Sequence, residues 1–251
     1  METECGCMEE TGTHAILFTI LTGDMVPTDP TRSPRRCHCT RGRSVRLKNR
    51  DTSLVAAGVL VKTVRFVRSL PAFQQLPPED QLALIQHSWA PLLVLGLAQE
   101  RVSFEVEQEP APSMLRKILL EQQQARERRR EYGAEQPTLA GVQNLKSCLR
   151  KLWSLDLSPK EYAYLKGTMI FNPDVPGLQV APFVDALQRE AQRALKEVLF
   201  LLHDDGSFGR VLLATSSLRS VTPELITELF FRPIIGSAHL LQLISDMLFS
   251  R

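Results

Sequence analysis

The sequence has little of the material from which sheets, disulfide frameworks and extended nucleic-acid surfaces are built. Only 6% of its 251 residues are aromatic and only 13 are glycine, and this composition favours helices over sheet. The formal net charge of +2 excludes a basic surface along the whole chain. The five cysteines are Cys5, Cys7, Cys37, Cys39 and Cys148. They leave most of the chain without a possible disulfide, which is typical of a reducing compartment.

Signals for export, membrane insertion and catalysis are also missing. The apolar run of residues 14–22 follows acidic residues rather than a basic segment, unlike a secretory signal. No apolar run reaches membrane-spanning length without a charge or a proline. The sequence contains no Gly-rich phosphate loop, metalloprotease helix or nucleophile elbow. We therefore expect a soluble intracellular protein with no catalytic residues, no metal site and no cofactor.

From residue 52 onward the apolar residues recur with a helical period. The first helix stops at Leu70 because Pro71 cannot continue it. A second helix starts at Pro78 and becomes apolar all round, which is typical of a helix at the centre of a domain. We expect Pro91 to kink this helix. Further helices are predicted over residues 138–154, 158–170, 182–203, 206–232 and 238–249.

Two segments between these helices have other patterns. Residues 102–113 alternate in polarity like a short strand. Residues 121–137 are rich in charge and are expected to form an exposed, mobile connection. The sequence therefore predicts an all-α, multi-layer domain with at most one small β-hairpin.

The segment FVRSLPAFQQLPPEDQLALIQHSW resembles the signature of the nuclear hormone receptor ligand-binding domain, where helix 3 passes into helices 4 and 5. The resemblance continues in order with helix 8, the long helix 10–11 and the terminal activation helix, in the segments LSPKEYAYLKGTMIFNPDVPGL, GRVLLATSSLRSVTPELITELFFRPIIG and LISDMLFS. It implies a three-layer antiparallel helical sandwich over residues 14–251, after a flexible N-terminus of residues 1–13. Residues 14–22 then correspond to helix 1.

The chain does not contain the DNA-binding module that precedes this domain in most family members. That module builds two zinc sites from eight cysteines, whereas only four cysteines precede residue 52 here, in Cys-x-Cys pairs. Cys37, His38 and Cys39 are too close together for a structural zinc site, unless Cys5 and Cys7 fold back to help. We interpret residues 24–51, which include the basic stretch RSPRRCHCTRGRSVRLKNR, as a solvated loop between helices 1 and 3.

Two segments resemble the Leu-x-x-Leu-Leu box through which nuclear receptors recognise partner helices. Its three apolar side chains share one helix face at i, i+3 and i+4. The predicted box 1 is Leu17, Ile20 and Leu21, and the predicted box 2 is Leu115, Ile118 and Leu119. The resemblance implies that such boxes enter the coactivator grooves of other receptors. The alternative is that each stripe packs on its own core, as in any amphipathic helix, and box 1 coincides with helix 1.

The resemblance also implies a groove that belongs to this chain. In the family, a cation at the end of helix 3 and an acid on the terminal helix hold the two ends of a bound helix. The matching residues are Arg68 and Asp246, and the terminal helix adds Leu243, Ile244, Met247 and Leu248. Gln86 replaces a second family cation, so we expect weak binding of coactivators. The alternative is that the terminal helix only covers the core.

The resemblance implies a transcriptional corepressor of the nucleus, and also of the cytoplasm. Its partners would be other nuclear receptors, bound as heterodimers in competition with coactivators, and corepressor proteins that it recruits. Control of bile-acid, cholesterol and lipid metabolism is part of the same implication. The alternative is a ligand-regulated receptor with its own lipid-type pocket, because the fold supplies a site without proving its occupancy. Direct binding of DNA or of a membrane is not expected.

Overall fold

The computed structural model describes residues 45–108, 137–202 and 206–250. Its helices and strands, in chain order, are β1 Val45–Leu47, α1 Asp51–Ser69, α2 Pro71–Gln74, α3 Pro78–Gln99, β2 Val106–Gln108, α4 Leu139–Ser154, α5 Pro159–Ile170, α6 Ala181–Leu202, α7 Ser207–Ser216, α8 Pro223–Ile226, α9 Arg232–Ile235 and α10 Leu240–Phe249. A 3-10 turn, Ser217–Ser220, follows α7, and a π-helical turn, Thr227–Phe231, joins α8 to α9. The predicted fold class, all-α with a single small sheet, is confirmed.

The two longest predicted helices of the first half begin and end where prolines place them. Leu70 ends α1 in an extended conformation, as the residue before a proline prefers. Helix α3 starts with Pro78 in its first turn, together with Glu79 and Asp80, whose charges suit the positive end of the helix dipole. Helix α3 continues through Pro91, and the kink expected there stays a prediction.

Helix α3 lies at the centre of the described fold. It packs against α1, α4 and α5, and α6 packs on the far side of α5. By length and composition α3 could cross a membrane, but most of it is buried among these helices, as in a core helix. The close approach of α1 requires Gly96, since a Cβ there would lie 2.6 Å from Cγ1 of Val59.

The small sheet differs from a hairpin in its connectivity. Strands β1 and β2 pair antiparallel, with Val45 opposite Gln108 and Leu47 opposite Val106. Arg46 and Glu107, 61 positions apart in the sequence, form an ion pair of 2.8 Å across the strands. Strand β1 therefore lies inside the segment predicted as a loop. Its three residues carry too short a pattern to indicate a strand, and its partner is too distant to be found from local sequence.

The second half confirms the predicted helices with one exception. The Ser158 hydroxyl accepts from the backbone N–H of Glu161, whose carboxylate accepts from the N–H of Ser158 in return, which completes a capping box at α5. The long helix predicted over residues 206–232 is interrupted after α7. Thr222, the residue before Pro223, is extended (ψ 144°) and caps a new helix through its hydroxyl. The proline thus outweighs the continuing apolar period.

Candidate partner-binding groove

The candidate groove lies where α10 packs against α1 and α3. Leu240, Ile244 and Leu248 are spaced by four residues, so they share one face of α10, and all three are buried. Leu241, Leu243 and Phe249 lie on the other side and are 43%, 37% and 47% exposed. The amphipathic pattern of α10 therefore fixes which face it turns to the core.

Arg68 joins the end of α1 to the end of α10. Its Nη1 donates to the carbonyl oxygen of Met247 over 3.1 Å. The backbone carbonyl of Arg68 accepts from Nε2 of Gln74 over 2.7 Å, which ties this turn to α2. A cation beside the last carbonyls of a helix also complements the negative end of the helix dipole. The residue predicted to cap a partner helix therefore caps the terminal helix of its own chain.

Asp246 lies beside this contact and not opposite it. Because Asp246 precedes Met247, it shares the end of α10 that faces Arg68. Its Oδ1 accepts from Nε2 of Gln242 over 2.9 Å, one turn back on the exposed side of the helix. Gln86, where the family has a second cation, is exposed on α3. The clamp of Arg68 and Asp246 on a partner helix stays a prediction.

Helix α10 has the apolar spacing of a partner-binding box. Ile244 and Leu248 are buried, Met247 is half-buried against the same core, and the three stand at i, i+3 and i+4. In the sequence, the segment LISDML is predicted to form part of the groove, and the same spacing also suits a helix that occupies a groove. The burial agrees with the alternative in which the terminal helix covers the core.

The two predicted boxes cannot be placed in the same way. Box 1 and box 2 both lie outside the described residues, as do the N-terminus of residues 1–13, residues 24–44 of the predicted loop and residues 121–136 of the predicted connection. Within residues 45–108, 137–202 and 206–250, no three His, Cys, Asp or Glu side chains are grouped to hold a metal ion. Cys148 is buried, and this burial raises the pKa of its thiol to about 11.

Sequence reasoning missed a polar contact at the start of α3, one of the two helices against which α10 packs. Asp80 lies in the first turn of α3. Its buried carboxylate accepts from the backbone N–H groups of Gln179 and Val180 over 3.0–3.1 Å. This links the start of α3 to the start of α6, and the partners lie about a hundred positions away. No local pattern could have paired them.

Two pairs of aromatic side chains pack against each other in the core. Trp89 meets Phe231 edge to face with ring centroids 6.3 Å apart, and Phe104 meets Phe230 at 5.1 Å. All four side chains are buried.

Comparison with known proteins gives consistent matches along the chain. Residues 49–235 match the sequence family described as "Ligand-binding domain of nuclear hormone receptor". The chain is 47% identical over 251 residues to "Nuclear receptor subfamily 0 group B member 2" of Homo sapiens, covering 98% of this chain and 97% of that protein. The Rattus norvegicus protein of that name is 44% identical over 256 residues, with the same coverage. "Nuclear receptor subfamily 0 group B member 1" of Callithrix jacchus is 42% identical over 234 residues, covering 84% of this chain and 48% of that protein.

Proposed function

The chain belongs to the nuclear hormone receptor family, as its sequence motifs predicted, and we propose that it is a transcriptional corepressor that binds other nuclear receptors. The observation that carries the proposal is the contact between Arg68 and the carbonyl of Met247. In this proposal α10 occupies the place on α1 and α3 that a coactivator helix would otherwise take. A receptor with a closed groove of its own has to act on transcription through its partners.

In this proposal α10 and a partner helix compete for the same groove with similar burial energies. Removing α10 uncovers Leu240, Ile244 and Leu248, at about 1.5–3 kcal/mol for each buried apolar side chain. An incoming box of three apolar side chains regains about the same amount. A tethered helix, however, competes at an effective concentration on the order of millimolar. A partner helix at micromolar concentration therefore loses to α10.

In the proposed mechanism, box 1 and box 2 enter the coactivator grooves of other receptors. Each box offers one face of three apolar side chains to a groove, with a helix that is short enough to need the groove for its stability. The box would exclude the coactivator helix from the same place, and the bound protein would bring corepressor proteins with it. This function is regulatory and requires no catalytic residue.

A peptide-competition assay tests the mechanism. Peptides spanning residues 12–25 and 112–122 are titrated against ligand-bound domains of other receptors that carry a labelled coactivator peptide. The matched controls replace the leucines by alanine at Leu17 and Leu21, or at Leu115 and Leu119. We expect displacement by the native peptides and not by the alanine versions. Equal displacement by both versions, or displacement by neither, refutes the box mechanism.

We extend the proposal to location and physiology on the resemblance alone. The protein would act in the nucleus and also occur in the cytoplasm, as a heterodimer partner in bile-acid, cholesterol and lipid metabolism. The alternative is a lipid-regulated receptor with its own pocket, and the ring pairs Trp89–Phe231 and Phe104–Phe230 occupy part of the described core. Native mass spectrometry of the purified protein separates the two, since a retained lipid would appear as added mass.

A further inference from the structure

A second candidate site lies away from the groove. A cleft of about 760 Å³ opens between the N-terminal end of α1, the segment that follows α3, and α4. Its apolar floor includes Leu149, which is buried, and Trp153, which is half-buried. No residue of α10 lines it. The cleft is therefore separate from the place where the terminal helix packs.

The charges around this cleft are strongly unbalanced. Lys48, Arg50, Lys146 and Arg150 line it, and Glu105 is the one acid among its lining residues. Glu105 is already occupied, because Nζ of Lys48 lies 3.1 Å from its Oε2. That hydrogen bond, the charge of Lys48 and the charge of Lys146 lower the pKa of Glu105. After this pairing, Arg50 and Arg150 have no acid beside them in the part of the chain that the structure describes, and Lys146 shares Glu105 with Lys48.

The three remaining cations occupy positions that cost energy in the isolated chain. Arg50 stands at the N-cap of α1, where the helix dipole is positive. Lys146 and Arg150 are four residues apart on α4, so two like charges share one helix face. Lys146 has a partial partner in the ring of Phe104, 5.2 Å away. Within the described ranges, Arg50 and Arg150 have no side-chain hydrogen bond or ion pair.

We propose that this cleft binds an acidic segment of a partner protein. The carboxylates of that segment meet Arg50, Lys146 and Arg150, and an apolar side chain between them covers Trp153 and Leu149. A carboxylate bound beside each cation offsets the unfavourable interaction of that cation with the helix dipole or with the neighbouring like charge. Charged partners also form stronger hydrogen bonds than neutral ones. A small free anion fits less well, because it would leave the apolar floor and most of the volume unused. The inference goes beyond the corepressor function and needs neither the boxes nor α10.

The test uses the full chain and a defined probe. A short fluorescein-labelled peptide of Glu, Asp, Leu and Phe is titrated by fluorescence anisotropy, at low and at high salt. The variant is Arg50→Gln/Arg150→Gln, which removes two unpartnered charges from the cleft. The control is Arg65→Gln/Arg193→Gln, which removes the same charge from exposed positions on α1 and α6. Thermal unfolding verifies that each variant folds, and Lys146→Gln replaces the cleft variant if it does not.

We expect the cleft variant to weaken binding by about tenfold or more, because two charge-assisted contacts are lost in a partly enclosed site. The control variant should bind like the wild type, and a peptide with Gln and Asn in place of the acids should not bind. Trp153 supplies a local readout, since Trp89, the other of the two tryptophans, is only 3% exposed. A change of tryptophan emission on binding therefore places the peptide at the cleft.

Three results would overturn the proposal. Equal loss of affinity in both double variants would mean that the peptide senses only the total charge. Displacement of the peptide by an equal concentration of inorganic pyrophosphate would show that the cleft is a site for small anions. Absence of binding at low salt, where surface electrostatics are strongest, would show that the cleft holds no acidic segment.

Discussion

Replacing Ile244 by serine should open the groove that α10 covers. The side chain of Ile244 is 0% exposed, in the middle of the buried stripe of α10. Truncating such a side chain costs about 2–5 kcal/mol, and serine adds a hydroxyl without a partner. Since α1 and α3 are unchanged, most of this cost falls on the docking of α10. If the substitution weakens the docking of α10 by about 3 kcal/mol, the population of the open groove rises by about a hundredfold, because each 1.4 kcal/mol is a factor of ten.

The assay is fluorescence anisotropy of a labelled Leu-x-x-Leu-Leu peptide with the wild-type chain, with Ile244→Ser and with Leu243→Ser. Leu243 is adjacent to Ile244 but 37% exposed, so its replacement leaves the buried stripe intact. We expect the peptide to bind Ile244→Ser up to about a hundredfold more tightly, because the apparent affinity follows the open fraction. Leu243→Ser should match the wild type.

Whether the peptide binds Ile244→Ser more tightly or more weakly than the wild type distinguishes the two possible roles of α10. If α10 were a wall of the groove rather than its occupant, loosening α10 would weaken the peptide. An affinity of Ile244→Ser equal to or below that of the wild type would therefore refute the closed groove. Hydrogen exchange over residues 240–249 gives the independent check that α10 has loosened in the variant.

Four further predictions concern packing and burial. Gly96→Ala should destabilise the fold by about 1–3 kcal/mol in chemical denaturation, through overpacking against Val59. Gly58→Ala, with nothing within 4 Å of its new Cβ, should instead stabilise it by up to about 1 kcal/mol. Asp80→Ala should cost about 1–3 kcal/mol, because it leaves the N–H groups before α6 unsatisfied, and a fully native unfolding midpoint would contradict this. Cys148, whose buried thiol has a pKa of about 11, should resist iodoacetamide at pH 8 until the protein unfolds, as read by peptide mass mapping.

Local chemistry explains why most helix boundaries could be predicted from the sequence. The stop of α1 before Pro71, the start of α3 at Pro78 and the capping box at Ser158 all depend on residues within one helical turn. The interruption before Pro223 has the same local cause, because the residue before the proline is extended. The apolar period on both sides of it nevertheless favoured one long helix. Strand β1 was missed because three residues carry no period and pair with a distant strand.

The sequence by itself determined the family and the helical architecture. Each of these depends on motifs or periods that are read along the chain. Only the tertiary structure brings Arg68 to Met247, because the two residues are 179 positions apart and meet only after α10 packs on α1 and α3. The same holds for the basic cleft, where Lys48 and Arg50 lie between β1 and α1 and Lys146 and Arg150 lie on α4. The order of the charged residues is read along the chain, but only the packing of the helices determines which of them line the same cleft.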